Sequence, residues 1–288
     1  MTELKQFLTR AEQLIERLEA VLPAVPPEPD WIGATAFRWR RRHNRGRLQA
    51  VPRVHAIRLT DLCDVDEQKA RLDQNTRQFL DGRLANNVLL SGARGTGKSS
   101  LVKALLDAYG DCGLRLIEVD KDDLMDLPDI IELVQPRPER FILFCDDLSF
   151  ESNEPGYKAL KSVLDGSIAA VPDNVLIYAT SNRRHLMPEY HDENLQARHV
   201  DGELHPGEAV EEKVSLSDRF GLWLSFYPFS QDQYLTIVQH WLSVFGVSQA
   251  CIDASRQEAL QWALLRGARS GRVAWQFARD YAGRSDAR

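Results

Sequence analysis

The stretch N-V-L-L-S-G-A-R-G-T-G-K-S-S-L-V-K-A-L-L, residues 87–106, decides the fold. It opens with a short apolar run at residues 88–90, continues through a glycine-rich turn and ends with apolar residues at helical spacing. This order predicts a buried strand, a loop and a helix.

The loop at residues 92–99, called the phosphate loop below, matches the pattern G-x-x-x-x-G-K-[ST]. Its glycines let backbone amides turn toward an anion, and the helix that begins near Lys98 adds its positive dipole end. Lys98 is then expected to reach the β- and γ-phosphates of a nucleotide, while the Ser99 hydroxyl binds Mg²⁺. The alternative is a glycine-rich turn with an exposed lysine, which the flanking strand and helix disfavour. The predicted nucleotide-binding residues of the loop are Gly92, Ala93, Arg94, Gly95, Thr96, Gly97, Lys98, Ser99 and Ser100.

Composition narrows the class of protein. The 288 residues are 43% hydrophobic, which is enough for the core of a globular protein. The formal net charge of -6 argues against a dedicated nucleic-acid binder. The cysteines are widely spaced, so the sequence suggests neither a disulfide framework nor a zinc site. The N-terminus lacks a long apolar segment and no run approaches membrane-spanning length, so we expect a cytoplasmic protein without membrane contact.

A second diagnostic segment is F-I-L-F-C-D-D, residues 141–147. Five apolar residues predict a strand buried on both faces, and its carboxyl end would place Asp146 beside a metal ion held by Ser99. Asp147 is expected to orient or activate the attacking water. Glu151 and Glu154 lie close enough in sequence to compete for that role, and adjacent aspartates also occur as helix caps.

The next buried strand, residues 175–179, ends in T-S-N at residues 180–182. The Asn182 amide would contact the γ-phosphate or position water, or else cap the following turn. Residues 183–213 are long and polar and predict a mobile insertion. Its histidines lack compact ligand spacing, which argues against zinc. They are His185, His191, His199 and His205.

The N-terminal region carries two further patterns. Residues 3–22 form an amphipathic helical pattern, whose apolar stripe packs on its own domain or docks a partner. The segment F-R-W-R-R-R-H-N-R-G-R, residues 37–47, concentrates arginines around Trp39. Such a segment suits either contact with a nucleic-acid backbone, with Trp39 stacking on a base, or a solvated or subunit-facing surface.

The remaining elements alternate between strand and helix and then become helical. Strands are predicted at residues 114–119 and 222–227, and helices at residues 66–80, 121–134 with an interruption at Pro128, 157–164, 231–245, 256–266 and 270–281. Arg272 opens the last helix, where the helix dipole disfavours a cation, so this arginine either has a ligand elsewhere or is solvated.

This order of motifs resembles the AAA+ ATPase superfamily over about residues 59–282. The segments R-G-T-G-K-S-S-L-V-K-A-L, D-D-L-S-F, Y-K-A-L-K-S-V-L-D-G and S-L-S-D-R-F-G-L-W-L are more narrowly similar to a bacterial family of predicted ATP-binding AAA+ proteins without an assigned function. The resemblance implies that residues 92–99 are the Walker A motif, Asp146 the Walker B aspartate and Asn182 sensor 1. Arg219 would be an arginine finger for a neighbouring subunit, and Arg272 would be sensor 2.

From these patterns we expect an α/β P-loop NTPase fold of AAA+ type, a three-layer α/β/α parallel sheet with a C-terminal helical lid and an N-terminal helical extension. The expected domains are an extension with the basic segment at residues 1–58, a nucleotide-binding domain at residues 59–229 and a lid at residues 230–288. ATP and Mg²⁺ are the expected cofactors, since no N-K-x-D sequence for guanine occurs.

One departure from the AAA+ pattern concerns turnover. The usual Asp-Glu pair is Asp146-Asp147 here, which shortens the presumed base and predicts slower hydrolysis. The leading hypothesis is an ATPase that forms a nucleotide-dependent homo-oligomer and remodels or loads an unidentified protein client. A nucleotide-gated switch with little turnover, with contact to nucleic acid, is the main alternative. A small-molecule kinase is the third, and it leaves the lid and Arg219 without a role.

Overall fold

The computed structural model describes residues 2–21, 28–42, 45–54, 56–150, 154–166, 172–183, 186, 198–200, 203–205 and 216–284. The chain divides into two compact units, Met1–Asp30 and Trp31–Arg288. The first unit contains helix α1, Thr2–Val21, which matches the amphipathic pattern in the sequence. The expected domain boundaries after residues 58 and 229 lie inside the second unit and stay predictions.

The strands are β1 Ala36–Arg42, β2 Arg45–Ala50, β3 Val88–Gly92, β4 Leu114–Glu118, β5 Arg140–Cys145, β6 Val175–Ser181, β7 Arg198–Val200, β8 Glu203–His205 and β9 Leu222–Phe226. In the part of the chain that the structure describes, seven of them form one sheet in the order β2-β1-β4-β5-β6-β3-β9. Every neighbouring pair in it is parallel except β1 and β2. β7 and β8 pair with each other, antiparallel.

The helices after α1 are α2 Asp66–Leu80, α3 Lys98–Tyr109, α4 Leu127–Val134, α5 Pro155–Asp165, α6 Gln231–Val244, α7 Gln249–Leu265 and α8 Gly271–Gly283. Two hydrophobic clusters show how they cover the sheet. One joins the sheet to α2, α3 and the C-terminal helices through residues such as Leu72, Leu101 and Tyr234. The other joins the opposite face to α4 and α5 through residues such as Ile130 and Leu160.

The architecture is therefore the expected three-layer α/β/α arrangement, a mostly parallel sheet with helices on both faces, followed by the C-terminal helices α6–α8, called the lid below. Strands β3, β5 and β6 are buried at nearly every position, as their apolar runs predicted. Pro128 lies in the first turn of α4, after a 3-10 helix at Lys121–Asp126, and so accounts for the predicted interruption. Helix α7 begins at Gln249 instead of Arg256, so that predicted start was wrong.

The hairpin of β1 and β2 was not predicted from the sequence. β1 continues the parallel sheet beyond β4, and β2 folds back along it as the antiparallel edge. Phe37 and Trp39 face the core, with 1% and 4% of their surfaces exposed, and arginines alternate with them. The basic segment is thus a structural edge of the sheet.

Two other expectations concern regions outside the core. Most of the predicted insertion at residues 183–213 lies outside the described residues, apart from 183, 186, β7 and β8. No helix among the described residues is both long enough and apolar enough to cross a membrane.

Candidate functional site

A cleft of about 570 Å³ opens at the carboxyl ends of β3, β5 and β6. Parallel α/β sheets bind ligands at this edge because the loops there converge on the ends of several strands. The phosphate loop and the lid line the cleft together with the segment that precedes α2. The volume falls within the range of pockets that hold small ligands and cofactors.

Lys98 lies at the floor of the cleft, with 5% of its surface exposed. Its ammonium donates to the carbonyl oxygens of Gly92 at 2.9 Å and Ala93 at 2.7 Å, and to Asn182 Oδ1 at 3.0 Å. Burial lowers the pKa of Lys98 to about 8, against the opposing effect of the nearby aspartates. An anionic ligand would restore the lysine's preference for the charged form, so the side chain is suited to receive phosphate.

The predicted metal ligands meet in the structure. Ser99 Oγ donates to Asp146 Oδ1 at 2.5 Å, which places a hydroxyl from the first turn of α3 beside a carboxylate at the end of β5. These hard oxygen donors fit Mg²⁺, which usually takes one or two carboxylates and completes its shell with water and substrate phosphates. No cluster of three or more His, Cys, Asp or Glu side chains suited to a metal occurs among the described residues.

Asp147 and Asn182 also come together. Asn182 Nδ2 donates to Asp147 Oδ1 at 2.5 Å, while the Oδ1 of the same amide accepts from Lys98. Asp147 has a positive φ of 53°, a conformation that non-glycine residues adopt at an energetic cost and that clusters at functional sites. The amide of Asn182 thus connects the Asp147 carboxylate to the Lys98 ammonium.

Thr180 joins the two aspartates, although the sequence interpretation gave it no role. Its Oγ1 donates to Asp146 Oδ1 at 2.6 Å and accepts from the Asp147 amide at 2.8 Å. The available signal was its position two residues before Asn182, because alternate residues of a strand face the same side.

The lid touches the phosphate loop directly. The first amide of α8, Gly271 N, donates to the Gly95 carbonyl at 2.8 Å. Gly95 has a φ of +71°, and a β-carbon there would lie 2.9 Å from the Ser270 side chain. Arg272, the predicted lid arginine, lines the cleft one residue further along α8. The conformation of the loop and the position of the lid are therefore coupled.

One wall of the cleft is apolar and was not predicted as part of the site. It combines residues of the segment before α2 with residues of the lid. These residues are Ile57, Leu62, Cys63, Val65, Phe229, Ile237, Trp241 and Trp275. A contact between His240 Nε2 and Asp61 Oδ1 at 3.2 Å links the lid to the same segment.

The charges of the cleft contrast with the rest of the chain. Four cationic side chains line it among the described residues: Arg94, Lys98, Lys103 and Arg272. Three carboxylates line it as well: Asp61, Asp146 and Asp147. The cleft thus carries an excess of one positive charge, 4 minus 3, within a chain of net charge -6, which favours an anionic ligand.

Arg219 is placed differently from the other predicted site residues. It does not line its own chain's cleft as far as the described residues show, and its guanidinium forms an ion pair with Asp165 at the end of α5. Of the two competing glutamates, Glu154 forms an ion pair with Lys121 at 2.8 Å and does not line the cleft, and Glu151 lies outside the described residues.

The basic hairpin does not offer the stacking surface suggested by its sequence. Trp39 is buried, and its Nε1 donates to Asp126 Oδ2 at 2.9 Å. Three neighbouring arginines form ion pairs with carboxylates of the same chain: Arg38 with Glu118 at 2.5 Å, Arg40 with Asp120 at 3.0 Å and Arg41 with Asp126 at 3.4 Å. Stacking of a base on Trp39 is therefore excluded by burial, and nucleic-acid binding by this segment stays an untested prediction.

A comparison with protein-family models identifies the family. The model described as "Protein of unknown function (DUF815)" matches residues 33–285. The chain belongs to this family. The DUF815 region contains the whole cleft, from the segment before α2 to Arg272 and Trp275 in the lid. No curated protein matches the sequence.

Several solved structures are similar to this DUF815 protein. The Holliday junction branch migration motor RuvB of Thermotoga maritima has a TM-score of 0.45 and 15% identity, over 79% of this chain and 73% of that one. The HORMA:CdnC:Trip13 complex of E. coli MS115-1 has a TM-score of 0.47 and 14% identity, over 77% of this chain and 90% of that one. The Aeropyrum pernix ORC1 protein in complex with DNA has a TM-score of 0.47 and 15% identity, over 77% of this chain and 60% of that one.

Proposed function

We propose that the protein binds ATP with Mg²⁺ in this cleft and hydrolyses it. The observation that carries the proposal is that Lys98 and Ser99, at the start of α3, meet Asn182 and Asp146, at the ends of β6 and β5. Hydrogen bonds of 3.0 Å and 2.5 Å join the two pairs. Lys98 and the loop amides would hold the phosphates, and Ser99 with Asp146 would hold Mg²⁺. The metal would neutralise charge on the β- and γ-phosphates.

The apolar wall is the proposed site of the adenine base. Trp241 and Trp275 supply aromatic surface from the lid, and Leu62 and Val65 supply aliphatic surface from the segment before α2. A planar, apolar base gains by leaving water for such a wall, whereas the charged side of the cleft suits the phosphates. The nucleotide would therefore lie across the cleft and contact both the sheet and the lid.

Asp147 is the proposed base, with Asn182 holding its carboxylate in place. General-base catalysis needs the carboxylate within hydrogen-bond reach of the attacking water. The short aspartate side chain reaches less far than a glutamate, so slow turnover is part of the proposal. Arg272 would contact the phosphates from the lid side.

Assembly is proposed from the position of Arg219. Because this residue does not line its own cleft, any contact with a γ-phosphate would be made in another copy of the chain. Head-to-tail contacts of this kind close into rings when the rotation between subunits permits. The Gly271–Gly95 hydrogen bond gives a direct route by which phosphate occupancy would move the lid, and the lid would then act on a protein client or load it.

A mixing experiment tests hydrolysis at a shared interface. Lys98→Ala removes the side chain that would bind the phosphates, and Arg219→Ala removes the arginine that would act in a neighbouring subunit. Each variant alone should therefore be inactive. In an equal mixture, about one quarter of the interfaces pair an intact loop with an intact arginine, and activity should return to that extent. A mixture that stays inactive while both variants assemble would refute the shared site.

The second candidate is a nucleotide-gated switch. The Asn182–Asp147 hydrogen bond favours it, because one oxygen of the Asp147 carboxylate is already engaged by a donor of the same chain. Tight ATP binding with negligible phosphate release, in both the native chain and Arg219→Ala, would support the switch over the ATPase. A surface exposed only with ATP would then be the point of contact with a partner.

A further inference from the structure

Thr180 lies at the junction of the two aspartates, with 2% of its surface exposed. It is the penultimate residue of β6, paired with Leu90 of β3, so its backbone is fixed by the centre of the sheet. The Thr180 carbonyl also accepts from the Leu148 amide at 2.7 Å. A side chain held this firmly can set the position of the groups that it contacts.

The hydroxyl of Thr180 uses both of its hydrogen-bonding roles on the aspartate pair. A threonine hydroxyl has a single proton. That proton goes to Asp146 Oδ1, since the Asp147 amide is itself a donor and takes a lone pair of the same oxygen. Asp146 Oδ1 thus receives two hydroxyl donors, one from Thr180 and one from Ser99.

The second contact stabilises the unusual backbone of Asp147. A residue with a φ of 53° persists only where the surroundings hold it, and its amide needs an acceptor when it is withdrawn from water. Thr180 Oγ1 supplies that acceptor at 2.8 Å. One hydroxyl therefore fixes the direction of the Asp146 carboxylate and the turn that carries Asp147.

We propose that Thr180 is a positioning residue for Mg²⁺-ATP: it holds Asp146 in the orientation that binds the metal, and it holds Asp147 in the turn that faces the nucleotide. This inference rests on the proposed function. Groups that hydrogen-bond to a metal ligand set its direction, and their loss typically weakens metal affinity by about 10- to 100-fold.

The chain offers a matched pair of substitutions. Thr180→Val keeps the branched shape and removes the hydroxyl, whereas Thr180→Ser keeps the hydroxyl. Ser181→Ala is the control, because Ser181 is fully buried on the same strand and its hydroxyl donates to the Leu148 carbonyl at 2.7 Å, not to an aspartate. If Thr180→Val does not fold, Thr180→Cys replaces it, since a thiol of similar size is only a weak donor.

The measurement is the affinity for a fluorescent ATP analogue at increasing Mg²⁺ concentration, and separately in EDTA. For Thr180→Val, the Mg²⁺ concentration that gives half of the metal-dependent gain in affinity should rise by about tenfold or more. Its affinity in EDTA should stay within about twofold of the native value, because Lys98 and the loop are intact. Thr180→Ser and Ser181→Ala should both keep the native Mg²⁺ dependence.

An unchanged Mg²⁺ dependence in Thr180→Val would overturn the inference, as would an equal shift in Ser181→Ala, which would point to a general loss of order in β6. In both of those cases the native chain still binds Mg²⁺-ATP, and the proposed function stands. A native chain that binds no ATP would instead refute the proposed function, and the inference with it.

Discussion

The contact between Gly95 and the lid leads to a quantitative prediction for Gly95→Ala. Gly95 has a φ of +71°, and a β-carbon added there would lie 2.9 Å from both Cβ and Oγ of Ser270. The Ser270 side chain caps α8 by accepting from the Val273 amide at 3.3 Å, so it cannot move away without weakening that cap. The hydrogen bond from Gly271 N to Gly95 O, at 2.8 Å, is strained by the same displacement.

These terms add to a measurable loss of stability. A left-handed conformation costs an alanine about 1–2 kcal/mol relative to glycine. Weakening the Gly271–Gly95 hydrogen bond adds about 0.5–1.5 kcal/mol, and disturbing the cap adds about 0.5–1 kcal/mol. We therefore expect Gly95→Ala to lower the free energy of unfolding by about 2–4.5 kcal/mol.

Gly267→Ala is the matched control, because Gly267 has a φ of +65° and an added β-carbon there meets nothing within 4 Å. It should lose only the backbone term of about 1–2 kcal/mol. Urea unfolding of both variants, followed by tryptophan fluorescence and circular dichroism, gives the comparison. Equal losses in the two variants would refute the claim that the lid rests on the phosphate loop.

Three further predictions follow from buried polar groups. Burial lowers the pKa of Lys98 to about 8, so the affinity for a fluorescent ATP analogue should fall as the pH rises through that value and the lysine loses its proton. Lys98→Arg stays charged, so its affinity should depend less on pH in the same titration. Without nucleotide, the same shift should make stability rise with pH between about 8 and the usual 10.5, because the unfolded chain then holds the extra proton. Tyr178→Phe should lower the free energy of unfolding by about 1–3 kcal/mol, since it removes the buried hydroxyl that contacts Asn75 at 3.1 Å and Thr76 at 2.9 Å; a loss below about 0.5 kcal/mol in urea unfolding would contradict that assignment.

The features that the sequence predicts well are those that depend on residues close together in the chain. The strand, loop and helix at residues 87–106 need only local apolar spacing and glycines, and the Asp146-Asp147 pair follows a run apolar enough to be buried on both faces. Because parallel strands end at one edge, the sequence also predicted that Lys98, Asp146 and Asn182 would meet.

The features that it missed depend on partners distant in the chain. Phe37 and Trp39 alternate with arginines, which is the spacing of a strand. The arginines instead suggested an exposed basic segment, because their carboxylate partners, on and after β4, are distant in the sequence. The Gly271–Gly95 contact joins residues more than 170 positions apart and has no local signature. Thr180 had a signal in its spacing from Asn182, yet its role emerges only when the turn of Asp147 is known.

The central claim is that the cleft holds Mg²⁺-ATP through Lys98, and equilibrium binding of a fluorescent ATP analogue tests it most directly. The native chain and a Lys158→Ala control, which changes an exposed lysine on α5, should bind with the same affinity. Lys98→Ala should bind at least about tenfold more weakly, because a charge-assisted hydrogen bond to phosphate is lost. Equal affinity in Lys98→Ala and the native chain, or no binding by either, would contradict the account.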